Sequence, residues 1–133
     1  MAERAPDSVA AWLHKARQDL AAASVLARSP ERLAGPVLFH AQQAAEKSIK
    51  AFLVLKGYPF PKTHDLTELL NRAADFEPRF AEWHDRVGPL TPYGAEFRYP
   101  MAVPLNPTIE EARAAVQTVQ ALHEFACSLL PKP

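Results

Sequence analysis

Proline placement constrains this chain more than any other feature. Thirteen prolines stand against only four glycines, and each proline removes a backbone donor and interrupts a helix that would run through it. Three long windows stay free of proline, at 7–29, 37–58 and 108–130, with a shorter one at 62–77. Helices have to lie inside those windows. The stretch 88–107 holds five prolines (89, 92, 100, 104 and 107), so it cannot be a regular helix.

Within the windows the apolar residues recur at helical spacing. In the first, Asp7 or Ser8 can cap a helix whose face is Val9, Trp12, Leu13, Ala16, Leu20 and Ala23. In the second, Pro36 suits a first helical position and Gly57 suits a C-terminal cap. Its apolar surface is wide: Val37, Ala41, Ala44, Ala45, Ser48, Phe52 and Leu55 make one face, and Leu38, Ile49 and Leu53 extend it. Such breadth predicts a central helix with several neighbours. Asp65 with Glu68, and Thr108 with Glu111, have capping-box spacing. The last window places Ile109, Ala112, Val116, Val119, Leu122 and Ala126 on one side. Another helical turn or two is expected between Pro78 and Val87. No stretch alternates as a strand. The spacing predicts an all-α chain, an up-and-down antiparallel bundle of four to five helices, with helices near 8–28, 36–56, 65–75 and 108–130. A long proline-rich loop precedes the last helix. The 133 residues are expected to form a single domain with its core at about 8–130.

Composition excludes several classes. Lys plus Arg and Asp plus Glu are 15 each, giving zero formal net charge, so no global attraction to nucleic acid or anionic lipid is expected. The balance is uneven along the chain. Residues 42–64 hold four lysines and one acid, and 65–85 hold six acids and two bases. The single Cys127 excludes an internal disulfide and a cysteine-based zinc site. No apolar run is long enough to span a bilayer, and the polar first residues lack a signal-peptide core. The expected setting is cytoplasmic, without membrane association. No two histidines fall four apart on one helix, so a helical zinc site is not indicated, and no metal or other cofactor is expected.

The chemistry-bearing residues cluster. Gln43, Glu46, Lys47 and Lys50 share one polar stripe of the second helix. Thr63-His64-Asp65 opens the third helix, and Arg98-Tyr99-Pro100 lies in the proline-rich loop. One reading is structural: a solvated face, His64 assisting a cap, and Arg98 ion-paired to Glu46 to pin the loop. The other is a ligand site, with Lys47, Lys50, His64 and Arg98 on phosphate and Tyr99 or Tyr93 stacked on a base. His40 and His123 are expected to be satisfied core or interface groups, and Cys127 a small buried hydrophobe.

Taken as a set, Ala41-Gln42-Gln43-Ala44-Ala45-Glu46-Lys47, then Thr63-His64-Asp65-Leu66, then Arg98-Tyr99-Pro100 resembles the HEPN domain, the "higher eukaryotes and prokaryotes nucleotide-binding" family. The resemblance spans nearly the whole chain. It implies a helical bundle, commonly a homodimer. In prokaryotic stand-alone members it implies a separate minimal nucleotidyltransferase as partner, sometimes in a toxin–antitoxin system. Many active HEPN toxins are metal-independent ribonucleases that carry an Arg, four to six residues, then a His. His then works on the ribose hydroxyl and Arg on the phosphate. No His follows Arg98 at that spacing. The one literal match, Arg79 to His84, lies among acidic residues. The expected function is therefore a nucleotide- or nucleic-acid-associated module with no catalytic residue assigned. A ribonuclease toxin and a ligand-free dimeric adaptor are the alternatives.

Overall fold

The computed structural model describes residues 8–59, 62–94 and 106–131. Among them lie five α-helices and two 3-10 turns, with no strand. The helices are α1 (Val9–Ala27), α2 (Ala34–Leu55), α3 (Leu66–Ala74), α4 (His84–Val87) and α5 (Ile109–Ser128). The 3-10 turns, Pro78–Trp83 and Gly88–Tyr93, flank α4. The all-α bundle read from the proline windows is what forms.

Each helix end has a local cause. Ser8 accepts a hydrogen bond from Ala11 N and starts α1. Thr108 and Glu111 form a complete capping box on α5. At α3 the cap differs from the one expected. Asp65 accepts from Thr67 N, and Glu68 accepts from the Thr63 hydroxyl instead of closing a box. Gly57 adopts φ +68° just past α2. The bonds Gly57 N to Val54 O and Tyr58 N to Leu53 O complete a Schellman motif there. The start of α2 lies two residues earlier than Pro36 implies. The first-turn N–H groups need no intrahelical partner, so proline is tolerated inside that turn.

α2 is the axis of the molecule. It packs on α1 along its length, on α5, and on α3 and the Gly88–Tyr93 turn. Fifteen of its residues are buried, which is why its apolar surface is so wide. Small side chains are fully enclosed on both helices, Ala16 and Ala23 on α1 and Ala41, Ala44, Ala45 and Ser48 on α2. Small residues let the two backbones approach closely, and there is no room for a larger side chain. At the other end of the core Phe52 meets Phe80, Phe80 meets Phe125, and Phe125 meets Trp83, with ring centroids 4.7–5.8 Å apart. These rings anchor the 3-10 segment to α2 and α5. No helix among the described residues is long and apolar enough to cross a membrane.

Candidate functional site

The polar stripe of α2 divides into two clusters. Gln42, Glu46 and Lys50 stand at four-residue steps, and all three are buried. Glu46 is 3% exposed. A carboxylate removed from water to that extent requires partners, and Glu46 has three. Lys50 Nζ donates to Oε2 at 2.9 Å, Gln42 Nε2 donates to Oε1 at 3.2 Å, and His64 Nδ1 lies 3.0 Å from Oε1. Gln42 Nε2 also donates to the His64 carbonyl, and Gln42 Oε1 accepts from Gln43 Nε2. The start of α3 is thus fastened to α2 by both the backbone and the ring of His64. The Lys50 ammonium also lies 5.5 Å from the Trp12 ring centroid, which ties α1 to the same point.

The geometry assigns the His64 tautomer. Glu46 is ion-paired to Lys50 and accepts only, so Nδ1 carries the proton and donates. The His64 side chain is 62% exposed, and its Nε2 has no partner among the described residues. A carboxylate-oriented imidazole with one free nitrogen can donate to an anion when protonated. It can accept from a hydroxyl when neutral.

The second cluster lies on the α1 side. Asp19 accepts from Lys47 Nζ at 2.6 Å and pairs with His40 Nδ1 at 2.9 Å. The sequence expectations therefore separate. Glu46, Lys50 and His64 come together. Lys47 turns to Asp19, and both lysines have their charge matched inside the fold. The expected contact between Arg98 and Glu46, together with Tyr99 and the rest of 95–105, lies outside the described residues. Arg79 of the Arg79-to-His84 match is engaged by Glu77. The Arg79 guanidinium donates twice to Glu77, at 3.0 and 3.1 Å, and stacks on Phe125. The Arg79 hydrogen bonds lower the Glu77 pKa, and Glu77 raises that of Arg79.

Some residues of these networks were not singled out from sequence. Gln42 and Asp19 were visible only as members of patterns, although the 42/46/50 spacing marks one column of a helix. Gly94 gave no local signal. A Cβ there would lie 2.6 Å from the Gln42 amide, so glycine is what allows the end of the Gly88–Tyr93 turn to close on the cluster. A third, interior chain joins α2 to α5. Ser48 Oγ donates to Ala44 O and lies 2.8 Å from His123 Nδ1, and His123 Nε2 lies 3.5 Å from Cys127 Sγ. Burial, then the Arg17 charge, lowers the His123 pKa. Burial raises the pKa of the Cys127 thiol. Both shifts favour the neutral form, and Cys127, expected to be buried, is only half-buried. Among the described residues no three His, Cys, Asp or Glu side chains converge as a metal-binding group.

Compared with protein families, the chain matches the HEPN domain over residues 9–130. No curated protein and no solved structure matches it.

Proposed function

Because the chain belongs to the HEPN domain family, we propose that it is a nucleotide- or nucleic-acid-associated helical module that meets its ligand at the start of α3. The contact between Glu46 and His64 carries this reading. A buried carboxylate fixes Nδ1 and leaves Nε2 of an exposed imidazole for a phosphate oxygen. Lys50 shares the Glu46 carboxylate with the imidazole, and Lys47 is paired to Asp19 on the α1 side. Since each is already paired, neither is a free phosphate clamp. Arg98 on phosphate and Tyr99 on a base complete the proposed ligand set.

The test is a thermal-shift panel of nucleotides and short single-stranded RNAs. A ligand of the folded state raises the midpoint. The expected result is a shift in wild type that His64→Ala and Arg98→Ala reduce. An equal shift in all three proteins, or none in wild type, overturns the reading. The proposal includes two protein partners implied by the family resemblance, a second copy of the chain and a separate minimal nucleotidyltransferase as in toxin–antitoxin pairs. Light scattering at tens of micromolar and co-expression with an adjacent nucleotidyltransferase gene test them.

The contact between Glu46 and His64 also supports a second reading, a metal-independent ribonuclease in which His64 exchanges a proton with the ribose 2′-hydroxyl. The first reading expects little or no RNA cleavage. Robust cleavage that His64→Ala abolishes and His84→Ala spares would establish the second.

A further inference from the structure

α1 and α5 both pack along α2 but touch each other far less, so a furrow runs between them. Two cavities lie along it, and Arg17 of α1 lines both. The larger, of about 540 Å³, lies at the start of α1. Its other walls are apolar: Val9, Ala10 and Leu13 from α1, Leu55 from α2, and Leu130 and Pro131 just past α5. The smaller, of about 310 Å³, is more polar, and Gln120 and His123 of α5 line it. Both volumes fall in the range of about 300–1,000 Å³ typical of small-molecule sites.

Arg17 therefore stands at a boundary, with an apolar hollow on one side and polar groups on the other. It is exposed, and no carboxylate pairs with it among the described residues. In this it differs from Lys47 and Lys50. Burial is the largest influence on the pKa of both His123 and Cys127, and the Arg17 charge is the next on each. The guanidinium thus reaches across the furrow towards α5.

A hollow of this kind selects among ligand classes. A small inorganic anion would leave the apolar walls in water. A neutral hydrocarbon would use the walls and gain nothing from the cation. A cationic amphiphile would meet Arg17 as a like charge. An alkyl carboxylate uses both features, with its chain against Leu13, Leu55 and Leu130 and its two oxygens on the guanidinium fork. The helix ends set its direction. α2 and α5 both finish near the Val9 end of the hollow, where the negative ends of their dipoles disfavour an anion. Between Val9 and Arg17, α1 rises about 12 Å, room for an alkyl chain of medium length. We propose that this hollow binds a free medium-chain alkyl carboxylate, with the carboxylate on Arg17 and the chain running towards Val9. The proposal goes beyond the nucleotide-associated reading and does not depend on it, because no residue of the hollow belongs to the cluster around Glu46.

The experiment is calorimetric titration of the whole chain with hexanoate, octanoate, decanoate, 1-octanol and octylamine. Wild type is compared with Arg17→Gln, Arg17→Glu and Leu13→Gln. Arg17 is exposed and Leu13 half-buried, and Gln and Glu are good helix formers, so the fold is kept. The expected result in wild type is a gain of about tenfold in affinity for each two methylenes from hexanoate to decanoate. Octanoate should bind about tenfold more tightly than 1-octanol, and octylamine more weakly than either. Arg17→Gln should bring octanoate down to the level of 1-octanol. Arg17→Glu should reverse the order and take octylamine over octanoate. Leu13→Gln should weaken decanoate by about tenfold and keep the preference for a carboxylate. The proposal is overturned if decanoate does not bind wild type, if affinity is independent of chain length, or if Arg17→Gln takes octanoate as wild type does. Decanoate binding at full strength in Leu13→Gln would place the chain elsewhere and overturn it equally.

Discussion

Glu46 shows how a single residue can hold three helices. Its carboxylate takes the Lys50 ammonium, and both side chains are almost wholly out of water, 4% and 7% exposed. Burying such a pair gains little over apolar packing, but removing one member strands the other, at a cost of about 3–5 kcal/mol. Glu46→Ala should therefore lower stability by about 3 kcal/mol in urea denaturation, while the double change Glu46→Leu with Lys50→Met should recover most of it. A double variant as unstable as Glu46→Ala would show that the charges themselves hold the α2–α3 junction. A second buried group sets a pH dependence. The folded chain holds the His123 pKa below its ordinary value of about 6.5, by burial first and the Arg17 charge second. Glu124 opposes the shift, and Ser48 and Cys127 contact the ring. A lowered folded pKa means that the unfolded chain binds the proton more readily. The stability from a neutral His123 is then complete above pH 6.5 and is lost as pH falls toward the folded value. Melting scans from pH 7.5 to about 5 should fall for wild type and fall less for His123→Gln. Parallel curves would refute the assignment. The sequence marked Glu46, Lys50 and His64 because three- and four-residue steps place polar groups together on a helix. It gave no means of seeing that Gly94 presses on Gln42, since that contact joins two segments 52 residues apart in number.

At the scale of the element, proline and capping chemistry determined the readable part of the fold. The expected helices at 8–28, 36–56, 65–75 and 108–130 stand within two residues of α1, α2, α3 and α5. Each is bounded by a proline or a side-chain cap that acts locally. What the sequence left indistinct was 78–93, where the chain runs as two 3-10 turns around one turn of α-helix. No local rule selects that path. Phe80 and Trp83 are held by contacts with Phe52 and Phe125 from distant helices, and the prolines 89 and 92 are accommodated in a tighter turn. The two predicted capping boxes also diverge. Thr108 and Glu111 satisfy each other's backbone donors, whereas at α3 Glu68 accepts from Thr63 and leaves capping to Asp65. Thr108→Ala should therefore cost about 1 kcal/mol, and Asp65→Ala about as much. Glu68→Ala should cost less than about 0.5 kcal/mol, because its bond is made by exposed or half-buried groups outside the cap. Chemical denaturation of the three variants checks the order. A loss with Glu68→Ala equal to that with Thr108→Ala would mean that Glu68 does cap α3 in solution.

For the molecule as a whole, zero net charge and the internal use of cations decide how it can meet nucleic acid. The basic segment at 42–64 looks like a phosphate-binding surface in sequence. In the fold, Lys47 is matched by Asp19 and Lys50 by Glu46, so two of its four lysines are neutralised from within. Arg32 is matched by Glu110 and Arg79 by Glu77. These pairings neutralise four of the fifteen basic side chains from within, and an RNA meeting only the proposed ligand set would displace few counterions. For single strands, the logarithm of the binding constant falls with the logarithm of salt at about 0.7 per phosphate neutralised. Contacts by His64, Arg98 and one further cation would give a slope no steeper than about −2. Fluorescence anisotropy with a short labelled RNA between 50 and 200 mM salt measures it. The expected result is a shallow slope, reduced in Arg98→Ala by about 0.7. A slope of about −4 or steeper would require six or so phosphate contacts, more than the ligand set at the start of α3 provides. Binding would then have to engage a basic surface formed in another way, for instance between two copies of the chain.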